Sequence, residues 1–408
     1  FFFKQKTAYE ISTRDWSSDV CSSDLIKGDD RQGWATAVFS LPFVLLSGVA
    51  GYLADRYSKS KIVVLCKIAE IAITLLAVVA FLMYGNLGDL GTWSVLVLMG
   101  IHSTFFGPAK YGILPELFHH KNLPRANGLI LMSTFLAIIL GVVLAGRIKD
   151  LLTIKQPDGT EDFSSLWIGS LACTLVAVIG TATSFFVRYT APAQPEAKFD
   201  VSDSMLAPPI RQLLHRDRPL LSALVVSSVF WLVGGLVMPT VNRLGKEQLQ
   251  LNSDTQTSIL TGGLAIGIIL GAVLANVVLK RVRPDQQVSL GLLIMIFSMG
   301  LLSVWKPGGA HLLGYQGALI GLIVAGMGAA IFVIPLQVFL QERPPAELKG
   351  RLIGTMNFAN FIGILLAGPI YQLFVWIADS CGWPVSSVFA MMVCMLLPLL
   401  IVYRLPKA

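Results

Sequence analysis

Charged side chains inside long apolar stretches are the residues of this sequence that could do chemistry. Lys67 and Glu70 lie three residues apart, so a helix would place both on one face, where they can pair. Glu70 follows Lys61 by about nine residues, roughly 13 Å along a helix. A charge at that depth in an apolar medium usually marks a pathway or a relay. The alternative is a lysine that reaches the surface and a glutamate that only neutralises it.

A second group of polar residues lies near the ends of apolar stretches or inside them. Lys110 and Glu116 could contact a phosphate-bearing headgroup or form a gate. They could equally form a structural ion pair with each other. Amide side chains inside apolar stretches could bond the polar groups of a substrate or merely join helices, and the candidates are Gln337, Asn357 and Asn360.

The composition indicates the medium in which these residues act. Of the 408 residues, 54% are hydrophobic and only 13% are charged, with a mean hydropathy of +0.70. A soluble domain carries roughly 25% charged residues, so an ordinary water-soluble globule is excluded. Apolar stretches of about 20 residues can cross the hydrocarbon layer as helices. The short alternating segments of a membrane β-barrel do not occur. We therefore predict an all-α polytopic membrane protein.

Eleven apolar stretches bounded by charges, proline or glycine are predicted to span the membrane. They lie at about 34–54, 62–84, 93–113, 126–146, 165–187, 220–241, 256–279, 288–305, 312–340, 352–377 and 384–403. A polar segment at 190–219 separates five spans from six. We predict an N-terminal helical bundle at 26–189, a cytoplasmic linker at 190–219 and a C-terminal helical bundle at 220–408.

Basic residues predict the orientation. One alternate set of connections, which includes the C-terminal tail, holds 19 lysines and arginines, and the opposite set holds 6. Cytoplasmic loops of membrane proteins carry this excess, so the first set and the C-terminus are expected in the cytoplasm. The same distribution explains the net charge of +7 without nucleic acid.

Motifs for catalysis and for metal binding are missing from the sequence. The five cysteines are isolated, which argues against a structural metal or a disulfide framework. No His-x4-Asp motif and no phosphate-binding loop occurs. We therefore expect no enzyme activity, no cofactor and no metal, and a secondary mechanism for any transport.

The two halves of the sequence repeat each other at a spacing of about 220 residues. The end of the first span matches the end of the seventh, and the start of the fourth matches the start of the tenth. The matching strings are Leu53-Ala54-Asp55 with Leu274-Ala275-Asn276, and Arg125-x-x-Gly128 with Arg351-x-x-Gly354. Glycine pairs at 141/146, 267/271 and 363/368 are predicted to be helix-packing surfaces. Parallel repeats of this kind are typical of one large transporter class.

The loop after the first span, GYLADRYSKSK at 51–61, resembles a motif of the major facilitator superfamily, although Ser58 replaces a usual glycine. Gly51 would allow close helix approach. Asp55 would end a helix where its carboxylate meets a helix N-terminus and a cation. Arg56, Lys59 and Lys61 would anchor to anionic headgroups. The resemblance implies that Gly51, Asp55, Arg56 and Lys59 form a gating motif.

A second segment, TFFGPAKYGILPEL at 104–117, resembles the lysophospholipid transporter branch of that superfamily. This branch includes permeases fused to an acyltransferase and an acyl-ACP synthetase. The resemblance implies a permease that moves lysophospholipid across a bacterial inner membrane by alternating access, with such an enzyme as a possible partner. Two alternatives stay open: efflux of a drug or another amphiphile, and a non-transporting membrane module of an acyltransferase fusion.

The first 25 residues differ from the rest of the chain. They are polar and without apolar periodicity, and their second part resembles a translated sequencing adapter. We therefore exclude them from the fold prediction. The superfamily has six helices in each half, so we expect one further helix before Ile26 in the parent protein.

Overall fold

Helices account for the architecture of the chain. The computed structural model describes residues 31–152, 154–155, 161–162, 165–197, 206–251 and 254–403. Its α-helices are α1 Arg31–Arg56, α2 Lys59–Leu82, α3 Tyr84–Gly112, α4 Leu114–Leu117, α5 Leu123–Leu152, α6 Trp167–Ser184, α7 Pro208–Arg216, α8 Arg218–Arg243, α9 Asp254–Val277, α10 Pro284–Leu302, α11 Gly314–Glu342, α12 Lys349–Ser380 and α13 Ser387–Val402. Each of the eleven predicted spans coincides with one of these helices, which confirms the all-α fold. The adapter-like segment at 1–25 lies outside the described residues.

The length and composition of the helices fit a bilayer. Within the described ranges, nine segments are long and apolar enough to cross a membrane, and Ser387–Leu400 is a shorter apolar helix. Backbone N–H and C=O groups with no water to bond must find partners inside the protein, which favours helices because they satisfy their own backbone. The chain is a multi-pass membrane protein.

Short irregular elements connect or extend the long helices. Turns of 3₁₀ helix occupy His120–Asn122, Leu279–Arg281 and Ala346–Leu348, and a π-helical turn at Leu244–Gln248 extends α8. A two-residue hairpin pairs β1 Ile154–Lys155 with β2 Glu161–Asp162. The sequence pattern had not indicated this hairpin.

Packing groups the described residues into two compact units that do not follow sequence order. The first unit contains the residues up to Leu117, Ala137–Arg211 and Pro344–Phe358. The second contains Phe118–Leu136, Gln212–Arg343 and the residues from Ala359 onward. The division of the chain into bundles at 26–189 and 220–408 stays a prediction.

Glycines allow two helices of the second unit to pack closely. A Cβ added to Gly271 on α9 would lie 2.7 Å from the Cα of Met327 on α11, and one on Gly267 would overlap Ile323. The glycine pair 267/271 is therefore a helix-packing surface, as predicted. The prediction is wrong for Gly368, because a Cβ there meets no described atom within 4 Å. Gly363 does pack closely, because a Cβ there would lie 2.5 Å from the carbonyl oxygen of Ser228.

Replacing Gly271 tests this packing. We expect Gly271→Ala to lower the free energy of unfolding by roughly 1 to 3 kcal/mol, because overpacking displaces the backbone. Gly368→Ala is the matched control and should be neutral or slightly stabilising, since alanine favours helices. Thermal unfolding of the two purified variants measures the difference, and equal melting temperatures would contradict the prediction.

Candidate functional site

The carboxylate of Asp55 caps a helix that begins 294 residues later. Asp55 is fully buried near the end of α1. Its Oδ1 accepts a hydrogen bond from Gly350 N at 2.6 Å, and its Oδ2 accepts one from Arg351 N at 2.8 Å. Gly350 and Arg351 are the second and third residues of α12, whose amides normally need a capping acceptor. Leu348, which precedes α12, has no such acceptor in its side chain.

Two glycines make this contact sterically possible. A Cβ on Gly51 would lie 2.9 Å from both Arg351 Cα and Gly350 O. A Cβ on Gly350 would overlap the carboxylate of Asp55. The close approach predicted for Gly51 and the helix N-terminus predicted for Asp55 are therefore both present. The gating role of these residues stays a prediction.

Tyr52 organises the arginines beside the cap, and the sequence analysis missed it. Arg56 Nη1 donates to the hydroxyl of Tyr52 at 2.5 Å, and the guanidinium of Arg351 lies 5.6 Å from the centre of the Tyr52 ring. The hydroxyl in turn donates to the carbonyl of Ala197 at 3.0 Å. Arg56 thus bonds within the protein, although it is partly exposed. The sequence signal that could have indicated this contact is a tyrosine one helical turn before an arginine.

Lys59 is buried and paired with Glu116. Its Nζ donates to Glu116 Oε1 at 2.5 Å, and the two side chains are 0% and 25% exposed. The prediction that Lys59 anchors to headgroups is wrong, because a wholly buried ammonium reaches no lipid. The structural ion pair suggested between Lys110 and Glu116 is also corrected, since Glu116 pairs with a lysine from the other motif. Lys59 also lies close enough to Asp55 for their charges to attract.

The predicted pair between Lys67 and Glu70 is confirmed. Lys67 Nζ and Glu70 Oε2 are 2.5 Å apart, and the side chains are 14% and 2% exposed. Thr181 on α6 donates to the carbonyl of Lys67 at 2.8 Å. A Cβ on Gly180 would lie 2.8 Å from Lys67 Cε, so the lysine side chain crosses the groove between α2 and α6.

Lys110 and His102 lie on α3 in the same unit. Helix α3, which carries Lys110, packs against α2, which carries Lys67. Its ammonium lies 5.2 Å from the centre of the Tyr111 ring. His102 is buried, and its Nε2 lies 2.8 Å from the carbonyl oxygen of Cys66 on α2. His102 was not predicted as a site residue, and a lone histidine inside an apolar stretch was its only signal.

The three amide candidates lie in different surroundings. Asn357 is buried, and its Nδ2 would lie 2.6 Å from a Cβ on Gly107. Asn360 is buried in the second unit, where its Oδ1 accepts a hydrogen bond from Ser227 at 3.0 Å. Gln337 is only half-buried. The structure therefore pairs Lys59 with Glu116 near the Asp55 cap and pairs Lys67 with Glu70, with Lys110 on the adjacent helix α3, whereas the amides are dispersed.

No group of three or more metal-binding side chains occurs among the described residues. The buried polar side chains described above offer fixed charges, amides and hydroxyls that can bind a polar group.

A family model and several curated proteins match this chain. The model of the Major Facilitator Superfamily matches residues 21–368. The lysophospholipid transporter LplT of Photorhabdus laumondii is 27% identical over 348 residues, which cover 83% of this chain and 78% of that protein. The protein of the same name from Yersinia pestis strain Pestoides F is 27% identical over 376 residues, which cover 89% of this chain and 83% of that protein.

Solved structures share the fold at low identity. The transporter FucP in its outward conformation has a TM-score of 0.74 at 11% identity, with 98% of this chain and 96% of that chain covered. The human organic anion transporter MFSD10 has a TM-score of 0.72 at 15% identity, with 97% of this chain and 89% of that chain covered. These similarities show the fold alone.

The pair of Lys59 and Glu116 leads to an asymmetric prediction. Glu116→Gln leaves a wholly buried ammonium without its nearest anion, and we expect it to cost roughly 1 to 3 kcal/mol of stability. Lys59→Met should cost less, because it removes the buried charge and leaves Glu116 partly hydrated. Thermal unfolding measures both, and a larger loss for Lys59→Met would contradict the prediction. Glu247→Gln breaks a more exposed pair with Arg243 and is the control, expected within about 0.5 kcal/mol.

Proposed function

The chain belongs to the Major Facilitator Superfamily, and we propose that it is a secondary transporter that moves lysophospholipid across a bacterial inner membrane by alternating access. The observation that carries the proposal is the similarity to bacterial lysophospholipid transporters over 83% and 89% of this chain. The buried charges of α2 and α3 fit the chemistry of such a substrate.

A lysophospholipid has one acyl chain and a phosphate-bearing headgroup. Its carrier needs an apolar path for the chain and a cation or an amide for the headgroup, because a polar group removed from water needs a partner. Lys67 on α2 and Lys110 on α3 lie on apolar helices long enough to span a membrane, and these two helices pack against each other. With Glu70 they carry one net positive charge, which suits one phosphate anion.

The pair of Lys67 and Glu70 lets this site exchange one anion for another. A lysine ammonium binds a phosphate as a point charge and can change partners. Glu70 neutralises Lys67 at 2.5 Å in the structure. An arriving phosphate would compete with Glu70 for Lys67 while Lys110 adds a second attraction. Glu116 pairs with Lys59 and therefore belongs to the cap region in this proposal.

The side of the membrane on which each group lies follows from the basic loops. Connections rich in lysine and arginine lie in the cytoplasm, so we place the C-terminus, the end of α1 and the start of α12 there. Asp55, Gly51, Arg56 and Lys59 then form a cytoplasmic gate. Gln337, Asn357 and Asn360 stay candidates for substrate contact, and an acyltransferase or acyl-ACP synthetase stays a possible partner.

Uptake of labelled lysophosphatidylethanolamine by cells that lack their own uptake tests the substrate. We expect Lys110→Ala and Lys67→Ala to lower uptake by about tenfold or more, because each removes a charge-assisted contact worth roughly 1.5 to 3 kcal/mol. Lys306→Ala removes an exposed lysine from the connection between α10 and α11 and should leave uptake unchanged. A well-folded protein that takes up no lipid but raises resistance to cationic amphiphiles would reject the proposal in favour of efflux.

Asp55→Asn tests the gate. An amide offers one acceptor oxygen where the carboxylate offers two, and its NH₂ would face a backbone N–H. We expect turnover in reconstituted vesicles to fall about tenfold, the effect of losing one charge-assisted bond, while the amount of protein in the membrane is unchanged. Asp285→Asn makes the same chemical change at an exposed pair and is the control. Normal turnover by Asp55→Asn would exclude a gating role.

A further inference from the structure

The sequence repeat predicts a second junction that corresponds to the cap at Asp55. Asn276 stands at the repeat position of Asp55, and Arg125-x-x-Gly128 on α5 corresponds to Arg351-x-x-Gly354 on α12. The structure contains this junction within the second unit. A Cβ on Gly128 would overlap the side-chain amide of Asn276, so α9 and α5 approach closely at this point.

The hydrogen bonds at the junction of α9 and α5 differ from those at the Asp55 cap, where α1 meets α12. Asn276 Nδ2 donates to the carbonyl of Ala272 in its own helix at 2.8 Å. The second residue of α5 is Pro124, which has no N–H to offer a cap. A carboxylate at position 276 would therefore find one donor fewer than Asp55 finds at the start of α12.

A reciprocal amide pair lies beside this junction. Asn127 Nδ2 donates to Gln341 Oε1 at 2.9 Å, and Gln341 Nε2 donates to Asn127 Oδ1 at 3.0 Å. The two residues are 4% and 0% exposed. Asn127 is the neighbour of Gly128 on α5, and Gln341 lies in the last turn of α11. The pair thus joins a helix of the first sequence half to a helix of the second.

Burial and hydrogen-bond geometry indicate that this pair fixes how α5 and α11 align, beyond filling space in the core. Both amides are removed from water, so each needs the other to satisfy its donor and its acceptor. A third bond, from Asn127 Nδ2 to Leu123 O at 3.1 Å, fixes the side chain against the start of its own helix. Apolar residues would pack α5 against α11 without fixing their register, whereas two opposed amides bond in one register only.

We propose that Asn127 and Gln341 are positioning residues that hold the junction of α5 and α11 closed, the task that the proposed function assigns to Asp55 for α1 and α12. The proposal rests on the proposed function only in that the protein alternates between states, and it does not depend on which substrate is carried. The two junctions differ in strength, because hydrogen bonds to a carboxylate are about twice as strong as neutral ones. The amide pair is therefore the weaker of the two locks.

Spin labels at the exposed residues Lys121 and Arg343, beside the start of α5 and the end of α11, report on this junction in the purified protein. We expect Asn127→Leu and Gln341→Leu each to raise the ratio of long to short label distances by about fivefold, the effect of losing two interhelical bonds in a membrane protein. The exchanged pair, Asn127→Gln with Gln341→Asn, should restore the original ratio by re-forming reciprocal bonds. Asn276→Ala and the exposed Gln316→Leu are controls and should change the ratio less than twofold.

Two results would overturn the proposal. One is an unchanged distance ratio in folded Asn127→Leu and Gln341→Leu. The other is a shift in Asn276→Ala as large as theirs, which would assign the lock to the α9 contact. A purely structural role would lower the melting temperature without changing the distance ratio. Recovery of the original ratio in the exchanged pair would show that the single variants change it by losing the hydrogen bonds and not by misfolding. The measurement needs no substrate, so absence of lysophospholipid uptake would reject the proposed substrate and leave this result intact.

Discussion

The first turn of α12 has backbone amides that no carbonyl of its own helix can satisfy, and the carboxylate of Asp55 satisfies two of them. A buried carboxylate is itself costly unless it is fully bonded. Each side of the contact therefore requires the other. The approach needs a residue without a side chain on each helix, which Gly51 and Gly350 provide.

Further polar contacts near this cap balance the charges that it buries. The negative charge of Asp55 attracts the nearby cations Lys59 and Arg351. Lys59 is then wholly buried, and an uncompensated ammonium in that position would be strongly unfavourable. Glu116 supplies the second anion and stays a quarter exposed, so the network ends where water can reach it. Two sequence motifs that are 57 residues apart thus form one arrangement.

Local periodicity predicted the helices and the contacts within them. Apolar stretches predicted eleven helices that the described part of the chain contains, and the i, i+3 spacing predicted the pair of Lys67 and Glu70. The motif that carries the family resemblance predicted that Asp55 meets a helix N-terminus. Contacts between distant segments were not predictable in detail, because spacing along a helix does not say which neighbour faces a side chain. For that reason Lys59 was placed at the lipid surface, and His102, Tyr52 and the pair of Asn127 and Gln341 were missed.

The order in which a ribosome produces the chain adds a consequence of the cap. Asp55 is synthesised 295 residues before Gly350, so most of the protein is made before the donors of its hydrogen bonds exist. Until then its carboxylate must stay with water or headgroups, because burial alone would be too costly. The α1 end can enter the core only after α12 has emerged. Final burial of the charged motif is thus a late step of folding. In a chain truncated before α12 that motif would stay exposed, where chaperones and proteases can recognise it.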